Sequence, residues 1–487
     1  MNFNAYTLIV LASASIYSLS ALGNSDQIIT ENQLISEGLQ PTVRIIGKPS
    51  KVSSLKERME YYKVPAVSIA FLKDNKISWT HTEGVIDQIN NRPIDANTVF
   101  QAASISKPVF ASVLMKYRQD NNLNLEVDVN RLLKSWQVPA HQWSHKSDVT
   151  LRRLLSHSAG TTIHGFAGYA EGTDVPSIIS LLKGITPANS APVIVDIEPG
   201  TQFRYSGGGT ILAQLVLQDQ SKTLLPELAK STLFDPLLMG HSVYSQPLEG
   251  SLKNNAAVAH NTNGVPIAGG AHTYAALAAA GLWTTPSDLL RLVSKIQLAG
   301  LGKDESFFTK KTVEEILSPQ IEPMGIGFFL GGKEKVTSFS HGGSNEGYKA
   351  QLFAHTQTGD GIAIMTNSDN GSALISEILN RISEIYHWDE FKPTEKTITR
   401  LDPKLFNSIL GRYKITEPFE STFVIAEKGG NFIVNNEEFI VDELFFPESS
   451  QKLFSMTDMT LELHQNKLGE VNQISFWGGI VATKVEE

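Results

Sequence analysis

Strand-like stretches stand at both ends of a long helical region, and that arrangement limits the fold more than any other feature of the chain. Residues 66–72 and 76–80 read as a hairpin turning at 73–75, and residues 326–330, 350–355 and 362–366 again alternate or run apolar. From about Phe100 to Leu301 the pattern is mostly helical, broken by long loops that Gly and Pro mark. Strands so far apart, with helices between them, imply one mixed α/β domain whose sheet is closed by distant parts of the chain. A helix over 53–63, with Leu55, Met59 and Tyr62 at helical spacing, opens this domain, and a helix over 371–388 ends it.

The pattern changes after Trp388. Residues 389–399 are charged and include Pro393, which places a linker at 391–399. Beyond it, short strands at 422–426, 432–434, 444–446, 453–456, 461–464 and 474–477 alternate with turns such as 428–431, so 400–487 is expected to form a small antiparallel sandwich or barrel. At the other end, the apolar stretch 7–22 closes on the small residues Ala21 and Gly23, and 1–23 reads as an export signal followed by a leader over 24–50. Met1 to Tyr6 carry no Lys or Arg, so an uncleaved membrane segment is the alternative, and the only contact with a membrane expected of this chain. The main domain, 51–390, and all that follows are expected outside the inner membrane, periplasmic or secreted.

Charge and cysteine content narrow the chemistry. The formal net charge is -9 and no run of Lys and Arg occurs, which argues against nucleic acid as a partner. The chain has no cysteine, which excludes disulfides, thiolate metal sites and a cysteine nucleophile and leaves hydroxyl, carboxylate and histidine chemistry.

Ser-x-x-Lys occurs at Ser53/Lys56, Ser104/Lys107, Ser180/Lys183 and Ser449/Lys452, so the pattern alone selects nothing. Ser104 differs from the others in context. It follows the apolar approach Val99, Phe100, Ala102, Ala103 and opens a helix with Pro108 in its first turn and a stripe of Val109, Phe110, Val113, Leu114 and Tyr117. At a helix start, free backbone N–H groups favour the oxyanion formed when a serine attacks a carbonyl, and a lysine one turn on can take the serine proton if burial lowers its pKa. Tyr205 stands in a loop between a Pro199-Gly200 turn and the helix that starts at Gly207-Gly208-Gly209, and Gly342-Gly343 in a strand context allow close approach of another backbone or of a ligand.

Together, Ser104-Ile105-Ser106-Lys107, Tyr205-Ser206-Gly207 and His341-Gly342-Gly343 resemble, in order and spacing, the three motifs of the β-lactamase-like serine hydrolases, the group of class C β-lactamases, D-peptidases and related esterases. Leu151 to Gly160 is similar to the family's LLTHTSG segment, and Ala279 to Leu289 to its GGL-x-ST-x-x-DL segment, so the resemblance covers about residues 50–390. It implies an antiparallel sheet flanked by helices with a helical subdomain. It also implies Ser104 as acylated nucleophile, Lys107 as its base, and Tyr205 passing a proton to the leaving group and helping to activate the deacylating water. His341, Gly342 and Gly343 would lie on the edge strand of the cleft, the N–H groups of Ser104 and Ser344 would form the oxyanion hole, and no metal or cofactor is implied. The C-terminal strands resemble the lipocalin-like modules often appended in this family.

Two departures bear on substrate. The family's tyrosine motif usually ends in Asn, which grips the substrate's acylamido group, and here Gly207 stands in its place; the last motif usually begins with Lys, and here it begins with His341, partly charged near neutral pH at its unperturbed pKa of about 6.5. Both weaken recognition of a β-lactam. An ester or D-amino-acid amide, as a small molecule or short peptide, therefore ranks above an antibiotic. The rival readings are a β-lactamase proper and a binding protein that uses the same cleft. His157 reads as part of a helix end closing at Gly160, and Asp288 as part of a capped helix start, so neither is a catalytic candidate.

Overall fold

A computed structural model describes residues 33, 35–87, 91–416, 420–435, 443–476 and 479–485; the expected export signal at 1–23 lies outside them. By contact the chain divides into Lys63–Ser372 and a second unit that joins Met1–Tyr62 to Ala373–Glu487.

In Lys63–Ser372 the early and late strands do share one sheet. Its strands are β1 (Ala66–Lys73), β2 (Lys76–Gly84), β3 (Phe329–Gly331), β4 (Ser338–Asn345), β5 (Tyr348–His355) and β6 (Gly361–Thr366), in the order β2-β1-β6-β5-β4-β3. All pairings are antiparallel, with Ile69 opposite Ile364, Leu352 opposite Ala363 and His341 opposite Leu352. Asp74 and Asn75 turn the first hairpin with φ of 51° and 63°, the left-handed pair that tight hairpins favour. The strand expected at 326–330 begins only at Phe329. Gly327 takes φ of 79° and a Cβ there would stand 2.5 Å from Ala111 Cβ, so the chain turns where its apolar pattern reads as extended.

Helices between these strands carry the functional loops. Four of them frame the site: α1 (Ser106–Asn121), α2 (Leu151–Leu155), α3 (Gly207–Ser221) and α4 (Pro286–Gly300). Ser206 caps α3 by accepting a hydrogen bond from Gly209 N–H at 2.8 Å, and Thr285 caps α4 with Pro286 at its first position. The Asp288 carboxylate accepts His241 N–H and Ser242 Oγ–H, each at 2.9 Å, the structural role its sequence context suggests. Phe110 of α1, Leu212 of α3, Leu289 of α4 and Leu352 and Met365 of the sheet share one core, and burying each such side chain contributes about 1.5–3 kcal/mol.

The second unit has its own core. Within the stretch read as a linker, Thr394–Lys396 is a strand that pairs parallel with Val43–Ile45. Helices Leu55–Tyr62 and Gly371–Tyr386 are joined by Arg58, whose guanidinium reaches both oxygens of Glu377 at 2.6 and 2.7 Å while Tyr62 Oη–H donates to the same carboxylate at 2.8 Å. Glu377 is 1% exposed, so its charge depends on these partners. The C-terminal strands β7 (Gly411–Ile415), β8 (Ser421–Lys428), β9 (Asn431–Asn435), β10 (Glu443–Ser449), β11 (Lys452–Ser455), β12 (Thr460–Gln465), β13 (Val471–Phe476) and β14 (Ile480–Val485) close into a barrel, β7 pairing with β14. Tyr413, Phe423, Phe432, Phe445, Leu461 and Ile474 meet in one buried cluster, so side chains fill the interior of this eight-stranded barrel.

Candidate active site

Three loops converge where β4 runs past the start of α1. Ser104 lies one turn before α1, in a 3-10 turn over Ala103–Ile105, rather than in the α-helix itself. Ala103 takes φ of 49°, and the turn is pinned by Ala102 N–H donating to Leu282 O at 2.8 Å and by Ser106 Oγ accepting Leu282 N–H at 3.0 Å. The backbone thus aims Ser104 outward while Ser106 and Lys107 stay buried.

Gly343 shows why this strand needs a glycine. A Cβ there would lie 2.3 Å from Ala102 O, so β4 passes directly against the turn that carries Ser104. Because the obstacle is backbone, Gly343→Ala is expected to lower stability by about 1–3 kcal/mol, seen as a lower urea midpoint at unchanged slope. Beyond Ser340, β3 no longer pairs with β4, which leaves the stretch from His341 to Asn345 open on its outer side. Gly342 has no packing obstacle, the nearest atom to a built Cβ being Gln351 Oε1 at 3.4 Å.

Lys107 Nζ stands 3.0 Å from Ser104 Oγ and donates to Ala279 O at 2.9 Å. The side chain is 3% exposed. Burial alone lowers its pKa from 10.5 to about 7, since desolvation penalises the charged form and no carboxylate contributes. In the other three Ser-x-x-Lys pairs the lysine is exposed.

Tyr205 closes the triangle. Burial pushes its phenol up to about 12, opposed by a hydrogen bond with Ser104. Its hydroxyl is 3.5 Å from His341 Nε2. His341 Nδ1 is 2.7 Å from Gly342 O; a carbonyl only accepts, so Nδ1 carries the proton and Nε2 is a bare acceptor facing the phenol. Burial, then the nearby Lys107, hold the His341 pKa near 3. The residue is 2% exposed, and its burial favours a neutral ring in place of the partly charged imidazole expected from the unperturbed pKa.

All seven residues singled out from sequence, Ser104, Lys107, Tyr205, His341, Gly342, Gly343 and Ser344, line one cleft of about 750 Å³. Its walls add Phe166, Phe203 and Phe329, with Gln351 at the rim of β5. Where the family's Asn would stand, a Cβ on Gly207 meets His164 O and the Phe166 ring at 3.1 Å, so the loop over 162–166 occupies that space. Sequence reasoning missed the aromatic surround of Tyr205: the rings of His157, His164 and Phe329 lie 4.4, 4.9 and 6.2 Å from its own. The helix end expected to close at Gly160 turns instead at His157, with φ of 56°, and no local signal marks a histidine for that conformation. Among the described residues no group of three or more His, Asp or Glu is placed to hold a metal ion.

Residues 53–381 match the family model described as Beta-lactamase. The chain belongs to the beta-lactamase family. Similar curated proteins include the unguisins hydrolase ungD of Aspergillus violaceofuscus, 25% identical over 38% of this chain and 32% of that protein. Penicillin-binding protein 4* of Bacillus subtilis is 20% identical over 70% of this chain and 77% of its own length. The match thus spans about a third of the first of these relatives, and 60% of protein flp of Staphylococcus aureus. Among solved structures, the octameric penicillin-binding protein homologue from Pyrococcus abyssi has TM-score 0.59 at 18% identity and covers 88% of this chain and 98% of its own. EstCE1, a hydrolase with promiscuous acyltransferase activity, has TM-score 0.58 at 17% identity over 74% of this chain and 99% of its own. The D-amino acid amidase from Ochrobactrum anthropi complexed with D-phenylalanine has 0.52 at 19%, over 66% and 95%. At these identities the likeness is one of fold, and this beta-lactamase-family chain carries its own version of the cleft.

Proposed function

We propose that this protein cleaves a carboxylic ester or a D-amino-acid amide through an acyl-enzyme on Ser104. The observation that carries the reading is the contact of 3.0 Å between Ser104 Oγ and a buried Lys107 whose pKa lies at about 7, so that much of the lysine is an unprotonated base at neutral pH. Ser104 Oγ attacks the carbonyl carbon and gives its proton to Lys107. The oxyanion is held by the N–H groups of Ser104 and Ser344. The proton passes through the Tyr205 hydroxyl to the leaving oxygen or nitrogen, and the bond to the leaving group breaks. Water then attacks the acyl carbon, the bond from that carbon to Ser104 Oγ breaks to release the carboxylic acid, and the water's proton returns along the same path to Ser104 Oγ.

The neutral His341 supports an uncharged substrate over a carboxylate-bearing one, and the Phe166, Phe203 and Phe329 side chains offer it an apolar wall. EstCE1 and the D-amino acid amidase, similar in fold, bear names that agree with ester and amide chemistry. His341→Lys is expected to raise kcat/KM for carboxylate-bearing substrates such as nitrocefin about 10-fold relative to an uncharged ester, the worth of one charge-assisted hydrogen bond. An unchanged ratio in steady-state assays would count against His341 as the discriminating residue.

The reading is tested by fluorophosphonate labelling with peptide mapping, followed by assays with p-nitrophenyl esters, D-amino-acid amides and nitrocefin. A label on Ser104 with ester or amide turnover above nitrocefin turnover is the expected result. A label elsewhere, or none, overturns it in favour of a binding protein, and a preference for nitrocefin overturns it in favour of a β-lactamase.

A further inference from the structure

His157 stands outside the chemistry just described, yet it contacts the Tyr205 ring and both residues that flank it. Its carbonyl accepts Arg204 N–H at 2.8 Å, and its ring Nδ1 accepts Ser206 N–H at 3.1 Å, so the backbone N–H groups of the residues on either side of Tyr205 are both tied to one residue. Its ring also lies against the phenol, with centroids 4.4 Å apart and planes inclined by 35°. To do this, His157 adopts φ of 56°, a left-handed conformation that side chains with a Cβ disfavour, immediately after α2. Leu155 at the end of α2 fixes the approach by accepting Gly327 N–H at 2.9 Å, and Ser158 N–H returns to Arg153 O at 2.8 Å.

We propose that His157 is a positioning residue for Tyr205, holding its hydroxyl between Ser104 and the leaving group. Only a flat ring with an acceptor at the Nδ1 place meets both demands: phenylalanine keeps the ring and strands a buried N–H, and asparagine keeps the acceptor and loses the ring. Because Nδ1 accepts, the ring must be the neutral tautomer with its proton on Nε2. An imidazolium would set N–H against N–H. Burial, then Lys107 on α1, His341 on β4 and His164 on the neighbouring loop, all favour the neutral form, and the phenol of Tyr205 covers one face. Lys107 Nζ, 4.8 Å from the Tyr205 ring centroid, approaches the same phenol, so a shift of Tyr205 would loosen the contact between base and nucleophile as well.

This inference rests on the proton role proposed for Tyr205, and the test separates the two. A nitrophenolate departs without a proton and an alkoxide does not, so kcat/KM, which reports the acylation step, is compared for the p-nitrophenyl and ethyl esters of one acid in wild type, His157→Asn, His157→Phe and Tyr205→Phe. Both His157 variants are expected to lose roughly 10- to 100-fold more kcat/KM on the ethyl ester than on the nitrophenyl ester, and His157→Asn is expected to add no further loss to Tyr205→Phe. Equal losses on the two esters in the His157 variants, with unequal losses in Tyr205→Phe, overturn the positioning role alone. Equal losses in Tyr205→Phe overturn the proton role and the positioning role with it. Should the His157 variants not fold, nitrogen NMR of wild-type histidines decides: an unprotonated Nδ1 through the neutral range supports the assignment, and a protonated Nδ1 overturns it.

Discussion

Ser104→Ala is expected to lower kcat by about 10⁴-fold or more on ester and amide substrates and to abolish the acyl-enzyme adduct seen by intact-mass spectrometry. In the proposed mechanism the hydroxyl oxygen of Ser104 forms the covalent bond, and alanine removes that hydroxyl from hydrogen-bond reach of Lys107 Nζ, 3.0 Å away. Of the other residues that line the cleft, Ser344 stands on β4, one residue beyond the close passage of Gly343 against Ala102 O, and the proposed mechanism uses its backbone N–H. The substitution removes one hydrogen-bond partner from Lys107, which keeps Ala279 O, so stability is expected to change by less than about 1 kcal/mol. Residual activity near the wild-type level, with the fold intact by circular dichroism, would place the nucleophile elsewhere.

The second large effect concerns Lys107. Wild-type kcat/KM is expected to rise with pH through about 7, as the buried amine loses its proton and becomes a base, and to hold its plateau until the Tyr205 phenol ionises near 12. Lys107→Met is expected to lower kcat about 10²- to 10⁴-fold and to flatten that rise. Stability should move the other way. The folded-state pKa lies below the unfolded value of 10.5, so between about 7 and 10.5 the unfolded chain holds a proton that the folded one has released, and wild-type stability rises with pH in that window. The methionine variant carries no such dependence. Its advantage over wild type in denaturant titrations should therefore be greatest at and below pH about 7 and shrink toward 10.5. A wild-type rate profile flat across neutrality would mean that Lys107 stays protonated and is not the base.

Much of this was legible in the chain as written. The hairpin at 66–80, the strands at 350–355 and 362–366 and the short strands after residue 420 are local patterns, and each reappears in the sheet or the barrel, the runs at 66–72 and 362–366 as strands buried on both faces. Capping works the same way, with Thr285 and Pro286 announcing α4. Ser104 could be chosen over the other Ser-x-x-Lys serines because it stands at the start of an apolar helix, and the three motifs because they follow one another in the family's order and spacing.

What the residues alone could not determine depends on neighbours distant in sequence. The Lys107 pKa is lowered because the folded chain removes the amine from water, and burial lowers that of His341 in the same way; identical residues on a surface would keep their ordinary pKa values. Gly343 is held by Ala102 O, 241 positions away in the numbering (343 less 102). His157 grips Tyr205 by turning where a glycine would be expected, and Thr394–Lys396 becomes a strand only because Val43–Ile45 lies alongside. Periodicity, caps and motif order are short-range and are therefore written in the sequence. Desolvation, close backbone approach and strand pairing across hundreds of residues arise only when the chain is folded, and in this protein they convert a serine, a lysine and a tyrosine into a candidate catalytic site.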